Sequence, residues 1–253
     1  MSNPASLRQD YQDLHHVGAT RILFCGKSFI ADHTGALYWP AEETLIVSDL
    51  CLDKGSYLAE DDAVLPPYDT LSVFEKLEDA LSRYNPSRVI ALGDSFSSGA
   101  AYQRRLSIHD IDWLIDLMDG RDWYWVCGSK EPGVPEKVGG TVCPNVSLAS
   151  LRFRHDPVRA PITHEVSGGM HPVAAFMQYD RMTRARCFIS NGMRMVLPSI
   201  GHYGPGANVL DKSFAPLMGN EGLFVWVVSH GQAFPIAAGQ LLADDETETA
   251  RVQ

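Results

Sequence analysis

No apolar run in the chain reaches the roughly 18 residues that a membrane-spanning helix needs. The opening stretch, MSNPASLRQDYQDLHH, is polar and has no apolar core of the kind a secretory signal carries. Basic charge is also scarce. Lys and Arg total 21 against 31 Asp and Glu, a formal net charge of -10, so coating a nucleic acid by bulk charge is excluded and any such contact needs a local basic patch. Cysteine is sparse and odd in number: Cys25, Cys51, Cys127, Cys143 and Cys187 contain no CxxC pair, which argues against a disulfide framework and for reduced thiols in a cytoplasm. There is no Ser- or Pro-rich linker and no internal repeat. With 45% apolar and 21% charged residues over 253 positions, the chain is globular and long enough to bury a substantial core. One domain over 19–242 is expected, between a flexible polar N-terminus (1–18) and a flexible acidic tail (243–253, ADDETETARVQ).

The apolar pattern within that domain begins with ILF at 22–24, a short strand. TLIV (44–47) is apolar and β-branched and stops at Ser48-Asp49-Leu50, which predicts a buried strand delivering Asp49 at its carboxyl end. Asp69-Thr70 open a helix whose stripe is Leu71, Phe74, Leu77 and Leu81, stopped by Asn85-Pro86. RVIAL (88–92) is a second buried strand ending at Gly93-Asp94. Residues 107–118 predict another helix with Ile108, Ile111, Leu114, Ile115 and Met118 on one face, and WYWVC (123–127) a third strand ending at Gly128. Alternating strands and helices define an α/β sheet. The second half reads as hairpins: CFIS and MRMVL flank Asn191-Gly192, and LFVWVVS and QAFPI flank His230-Gly231.

In open α/β sheets the chemistry sits at the carboxyl ends of strands. Those ends read SDLCLDKG (48–55), LGDSF (92–96) and CGSKEPG (127–133), followed by FRHDP (153–157) and HEVSGGMHP (164–172). Asp, Cys and His at successive strand ends are metal-ligand types. Taken singly, each has an ordinary structural reading. Asp94 would cap a helix, Cys51 would be a small core residue, and His171 before Pro172 a turn residue. Their order along the chain favours a site.

With GALYWPAEETLIVSDLCLDKGS at 35–56, LGDSF, a histidine in HDP, a GGMHP element and a late RCF…LPSIG hairpin, the sequence resembles the calcineurin-like metallophosphoesterases. Within them it resembles the ligase-associated DNA damage response endonuclease family, from about Arg21 to Phe234. The resemblance implies a β-sandwich flanked by helices (αββα) with a two-metal site along one edge. There, two divalent ions clamp a phosphate and one activates the attacking water, and a histidine assists beside the leaving group. It also implies partnership with a DNA ligase, a helicase and an exonuclease.

Carried over residue by residue, the family pattern is only partly met. Asp-x-His reads Asp49-Leu50-Cys51. The bridging aspartate matches as Asp94. The Gly-Asn-His motif reads Gly128-Ser129-Lys130, without the metal-binding Asn and the catalytic His. The isolated histidine matches as His155. Gly-His-x-His reads Gly168-Gly169-Met170-His171, keeping only the second histidine. The first cage thus keeps Asp49, Asp94 and His171, with Cys51 in place of a histidine. Two oxygens, a nitrogen and a thiolate compose a tetrahedral zinc site; the other reading of Cys51 is a buried apolar residue beside a vacant site. The second cage keeps only Asp94 and His155, too few ligands to hold a second ion against water. The expectation is therefore at most one zinc or manganese, with no second metal.

Lys130 replaces the catalytic histidine. An unperturbed lysine titrates near ~10.4, so it is a poor proton donor at neutral pH but a fixed positive charge. It would neutralise Asp94 or bind a phosphate, or else be a solvated loop residue. Arg152, Arg154 and Arg159 surround His155, and Arg181, Arg184 and Arg186 follow His171. Arg154 and Arg186 are the candidate phosphate contacts and would allow a weak local contact with nucleic acid; the alternative is a scatter of solvated strand-edge charges. Two functions remain open. One is a DNA-repair-associated binding protein whose hydrolysis is lost or strongly reduced, since Cys51, Ser129, Lys130 and Gly169 all depart from the catalytic pattern. The other is an active phosphodiesterase or nuclease with a single zinc-type site.

Overall fold

The computed structural model describes residues 17–52, 68–96, 106–128, 133–201, 204–219 and 222–244. Two mixed sheets lie face to face. The first comprises β1 (Thr20–Phe24), β2 (Lys27–Ala31), β3 (Leu37–Trp39), β4 (Thr44–Ser48), β5 (Arg88–Leu92), β6 (Asp122–Val126) and β7 (Thr141–Cys143), in that order. Neighbours are antiparallel from β1 to β4 and parallel from β4 to β7. Two helices, α1 (Tyr68–Tyr84) and α2 (Ile108–Met118), provide the β4–β5 and β5–β6 crossovers.

The second sheet comprises β8 (Val146–Leu148), β9 (Leu151–Arg154), β10 (Glu165–Ser167), β11 (Pro172–Gln178), β12 (Arg181–Ser190), β13 (Arg194–Val196), β14 (Ala207–Asn208), β15 (Phe224–Ser229) and β16 (Gln232–Ile236). Its order is β14-β11-β12-β13-β10-β9-β8, with β15 and β16 branching from β12. This half is not built of hairpins alone, because β10 runs parallel to both β9 and β13.

Burial on both faces explains the apolar runs. Every residue of β4 is buried; Leu45 and Val47 face the helices, while Ile46 faces the second sheet. Between the sheets, Phe24, Phe29, Trp39, Ile46 and Ile90 meet Phe153, Val166, Phe188 and Leu197. On the outer face of the first sheet, Val89, Trp123 and Trp125 pack with Val73, Phe74, Leu77, Leu81 and Leu114. A third cluster covers the outer face of the second sheet, where Phe176, Ile189 and Val225 meet Phe214, Leu217 and Met218 of and beside the short α3 (Ala215–Met218).

The helix stripes differ from the sequence reading at their edges. Leu71, Ile108 and Ile115 are exposed, and Val73, Ala80 and Leu117 are buried instead. The inward arc on α1 centres on 73, 77 and 80, which rotates Leu71 out to the solvent margin. Ser107 and Asp110 form a reciprocal capping box that fixes where α2 starts. Asn191-Gly192 does join two antiparallel strands, but the paired residues are Ser190 and Met195, so the loop is longer than two residues. Asn191 Oδ1 accepts the Met193 and Arg194 N–H groups and closes the turn. At the other hairpin, His230 (φ 50°) and Gly231 (φ 68°) join Ser229 to Gln232 in a two-residue turn with both central residues left-handed.

Of the ends expected to be flexible, 1–16 and 245–253 lie outside the described residues. The described margins are tied in: Gly18 O accepts the Ala233 N–H at 2.8 Å, and Asp244 pairs with Arg184 and accepts from Asn208 Nδ2 at 2.9 Å. No described helix is long and apolar enough to cross a membrane, and all five cysteines are free thiols.

Candidate metal centre

The carboxyl ends of β4, β5, β9 and β10 converge on one edge of the sandwich. Asp49 follows β4, Gly93-Asp94 follow β5, His155 follows β9, and the segment after β10 carries Gly168, Gly169 and His171. The chain reverses there through left-handed conformations at Asp49, Cys51, Asp94 and His171, with φ of 52°, 51°, 43° and 46°. Non-glycine residues hold such angles only when the surroundings impose them, at about 1–3 kcal/mol each. The restraints are visible. Cys51 N–H donates to Asp94 O at 2.8 Å and Leu52 N–H to Ser95 O at 3.0 Å. Asp49 O accepts the Gly201 N–H at 2.9 Å and the Ser199 hydroxyl at 3.1 Å. Ala207 N–H donates to His171 O at 3.0 Å.

Asp49 is fully buried. Its Oδ2 accepts the Ser48 hydroxyl at 2.6 Å and the Gly169 N–H at 3.3 Å. Its Oδ1 is also buried but accepts no hydrogen bond among the described residues, although His171 Nε2 stands 3.2 Å away and His155 Nδ1 3.8 Å away. One ligand atom from each of Asp49, Asp94 and His171 lies within 4.8 Å of the other two. Two carboxylate oxygens and an imidazole nitrogen, with the buried Asp49 Oδ1 lacking a donor among the described residues, fit a divalent cation.

His155 lies beside this set and outside it. Its Nδ1 is 3.1 Å from Leu92 O; a carbonyl only accepts, so Nδ1 carries the proton and Nε2 is the free ring nitrogen of the neutral form. Nε2 is 3.9 Å from Asp94 and 3.9 Å from Asp156. Burial alone would depress the His155 pKa, but the carboxylates of Asp49 and Asp94, then the Leu92 carbonyl and Asp156, outweigh it and leave it above 6.5. Glycines make room for the ring. A Cβ on Gly93 would lie 2.1 Å from His155 Nδ1, one on Gly128 2.4 Å from Cδ2, and one on Gly169 3.1 Å from Cε1.

The remaining sequence candidates are placed as follows. Cys51 is buried but is not among the mutually close ligand atoms. Ser129 and Lys130 lie outside the described residues. Arg154 Nε is 3.1 Å from Glu165 Oε2. Arg186 Nη1 donates to the carbonyls of Ser199 and Ile200, the segment that grips Asp49 O, so Arg186 supports the ligand loop. Sequence reasoning passed over Ser48, the Gly169 N–H and the glycines around His155. The SD and GD pairs at strand ends and the lone Gly128 are the only traces these leave in the sequence.

No protein-family model and no curated protein matches the chain. Among solved structures, it is similar to the Pseudomonas putida nuclease MPE, at 18% identity and a TM-score of 0.65, over 86% of this chain and 100% of that one. A second match is Yfce, a phosphoesterase from E. coli, at 14% identity and a TM-score of 0.38, over 77% of this chain and 98% of that one. The first of these establishes the fold, two mixed sheets with flanking helices, as shared with that nuclease.

Proposed function

We propose that this chain holds one divalent ion, zinc or manganese, at Asp49, Asp94 and His171. With it the chain binds phosphate esters on nucleic acid in a cytoplasmic DNA-repair assembly, with hydrolysis lost or strongly reduced. The observation that carries the reading is the buried Asp49 Oδ1, which accepts no hydrogen bond among the described residues and stands 3.2 Å from His171 Nε2 in the Asp49, Asp94 and His171 cluster. The second cage is incomplete in sequence, because its Asn and His positions are Ser129 and Gly169.

A bound divalent ion supplies Lewis-acid polarisation of a phosphoryl oxygen. The chain's own groups orient that site. Ser48 and the Gly169 N–H fix one oxygen of Asp49 and so aim the other at the cluster. Leu92 O fixes the His155 tautomer, leaving Nε2 towards Asp94. Lys130, at the family's histidine position, offers a phosphate a fixed positive charge but no proton transfer near neutral pH. A phosphate contact by Arg154 would compete with Glu165, and one by Arg186 with the Ser199 and Ile200 carbonyls. The net charge of -10 limits nucleic-acid contact to a local one. The ligase, helicase and exonuclease partners rest on the sequence resemblance.

A second reading, an active single-ion phosphodiesterase or nuclease, is favoured by the left-handed backbone kept at Asp49, Asp94 and His171. The test is metal content of protein purified without chelator, beside hydrolysis of bis-p-nitrophenyl phosphate with added zinc or manganese. A single equivalent of metal and turnover no higher than that of Asp94→Ala is expected. Turnover that Asp94→Ala abolishes would establish the second reading, and two equivalents of metal would overturn the one-ion site.

A further inference from the structure

Glu165 and Arg194 form an ion pair inside the second sheet, where they are 1% and 3% exposed. The parallel register puts them directly opposite each other on β10 and β13. Neither is among the candidate metal ligands, and burying such a pair is costly unless its remaining hydrogen-bonding capacity is used. Here that capacity is spent on the loop from His155 to His164 and on Arg154 just before it. Arg194 Nη2 donates to Val158 O, and Nη1 to Ala160 O at 3.2 Å. Glu165 Oε2 accepts the Val158 N–H at 3.4 Å and faces Arg154 Nε at 3.1 Å. Val158 is thus held on both of its peptide groups, three residues after His155. On the sheet side, Gly168 N–H donates to both Arg154 O and His155 O, at 3.3 and 3.2 Å.

We propose that the Glu165–Arg194 pair is a positioning device for His155: by clamping Val158 and Ala160 it holds the imidazole against Leu92 O, facing Asp49 and Asp94. The proposal rests on the functional reading only in placing His155 at the ion-binding edge. Its deciding readout, the His155 ring proton in chelated protein, needs neither bound metal nor turnover, so the two fail separately.

The ring Nδ1–H of His155, buried and donating to Leu92 O, gives a slowly exchanging proton resonance by NMR in chelated protein. Arg194→Met loses that resonance to solvent exchange. Zinc affinity by calorimetry stays within about two-fold, the spread expected of uncoupled sites, because Asp49, Asp94 and His171 stand on other loops. The double variant Glu165→Met with Arg194→Met removes both charges of the pair, at the cost of taking Glu165 from Arg154, and loses the same resonance. In the unaltered protein, opening of the clamp releases both groups, so the Val158 amide and the His155 ring proton share one protection factor. A folded variant that keeps the ring resonance in place would overturn the proposal. So would a ring proton in the unaltered protein that is far less protected than the Val158 amide.

Discussion

Asp49 Oδ1 and His171 Nε2 face each other at 3.2 Å across the carboxyl edge of the first sheet, and that oxygen accepts no hydrogen bond among the described residues. The companion oxygen has two donors, Ser48 and Gly169. A buried polar atom without a partner costs about 1–3 kcal/mol, so the folded chain is set up to gain from a cation there. Zinc at 100 times its dissociation constant stabilises by about 2.7 kcal/mol. At about 2–4 °C per kcal/mol for a chain of this size, thermal unfolding shifts up by roughly 5–10 °C on adding zinc to chelated protein. Asp49→Asn abolishes that shift, while its midpoint in chelator rises above that of the unaltered protein because a buried charge has been removed. Calorimetric scans with and without EDTA read both effects.

The His155 ring gives the chelated protein a defined pH dependence. Its folded pKa is raised, since the carboxylates of Asp49 and Asp94, with Leu92 O and Asp156, outweigh burial. A raised pKa contributes stability that is fully present below the unfolded value of about 6.5 and is lost as pH rises through the folded value. Urea midpoints measured in EDTA therefore fall as pH climbs from about 6.5, and His155→Gln flattens that part of the profile. Zinc affinity has the opposite slope, because its ligands must be free of protons.

The parallel strands of the first sheet are plain in the sequence because they are buried on both faces, which turns TLIV and RVIAL into unbroken apolar runs. KSFIA (27–31) and LYW (37–39) leave no such run; they are short, and polar or half-buried residues interrupt them. Three members of the candidate cluster stand out for a related reason: Asp49 and Asp94 end those apolar runs, and His171 precedes Pro172, whereas Cys51 and His155, read with them, are not in the mutually close group. Glu165 and Arg194 were not. A charged residue in a sequence reads as surface, and only the register of β9, β10 and β13 brings these two together inside a sheet. Arg154 and Arg186 read as free basic residues for the same reason, and it takes the tertiary structure to show Glu165 beside one and two carbonyls on the other.

The glycines around His155 separate a packing effect from a backbone one. Gly128 has an ordinary backbone, yet its Cβ would lie 2.4 Å from His155 Cδ2. Gly128→Ala therefore displaces the ring at a cost of about 1–3 kcal/mol, typical of overpacking. Gly93→Ala costs more, since its Cβ would lie 2.1 Å from His155 Nδ1 and its φ is +67°. Gly239→Ala, with nothing within 4 Å, is the neutral control. Urea unfolding of the three variants should rank Gly93 above Gly128 above Gly239, and His155 ring shifts should move only in the first two.

At the far end of α1, Asp32 is fully buried and anchors the helix to the turn after β2. Its Oδ2 accepts from Arg83 Nη1 and from the Tyr84 hydroxyl at 2.6 Å, while Oδ1 accepts the Thr34 N–H at 2.8 Å. Arg83 also grips Asp79 at 2.7 Å and reaches His33 Nε2 at 3.1 Å. Burial, reinforced by Asp32, drives the Tyr84 pKa far up, so its hydroxyl stays a donor at every working pH. Removing that hydroxyl deletes one hydrogen bond to a charged acceptor, and Tyr84→Phe should cost about 1.5–3 kcal/mol. Asp32→Ala is harsher, because it takes an acceptor from the Tyr84 hydroxyl, from the Thr34 N–H and from Arg83, which keeps Asp79, and a loss larger than that of Tyr84→Phe is expected. Neither residue touches the metal centre. Zinc affinity by calorimetry should therefore be unchanged in both variants below their unfolding transitions, and a loss of zinc binding in the folded Tyr84→Phe protein would show that this end of the helix is coupled to Asp49.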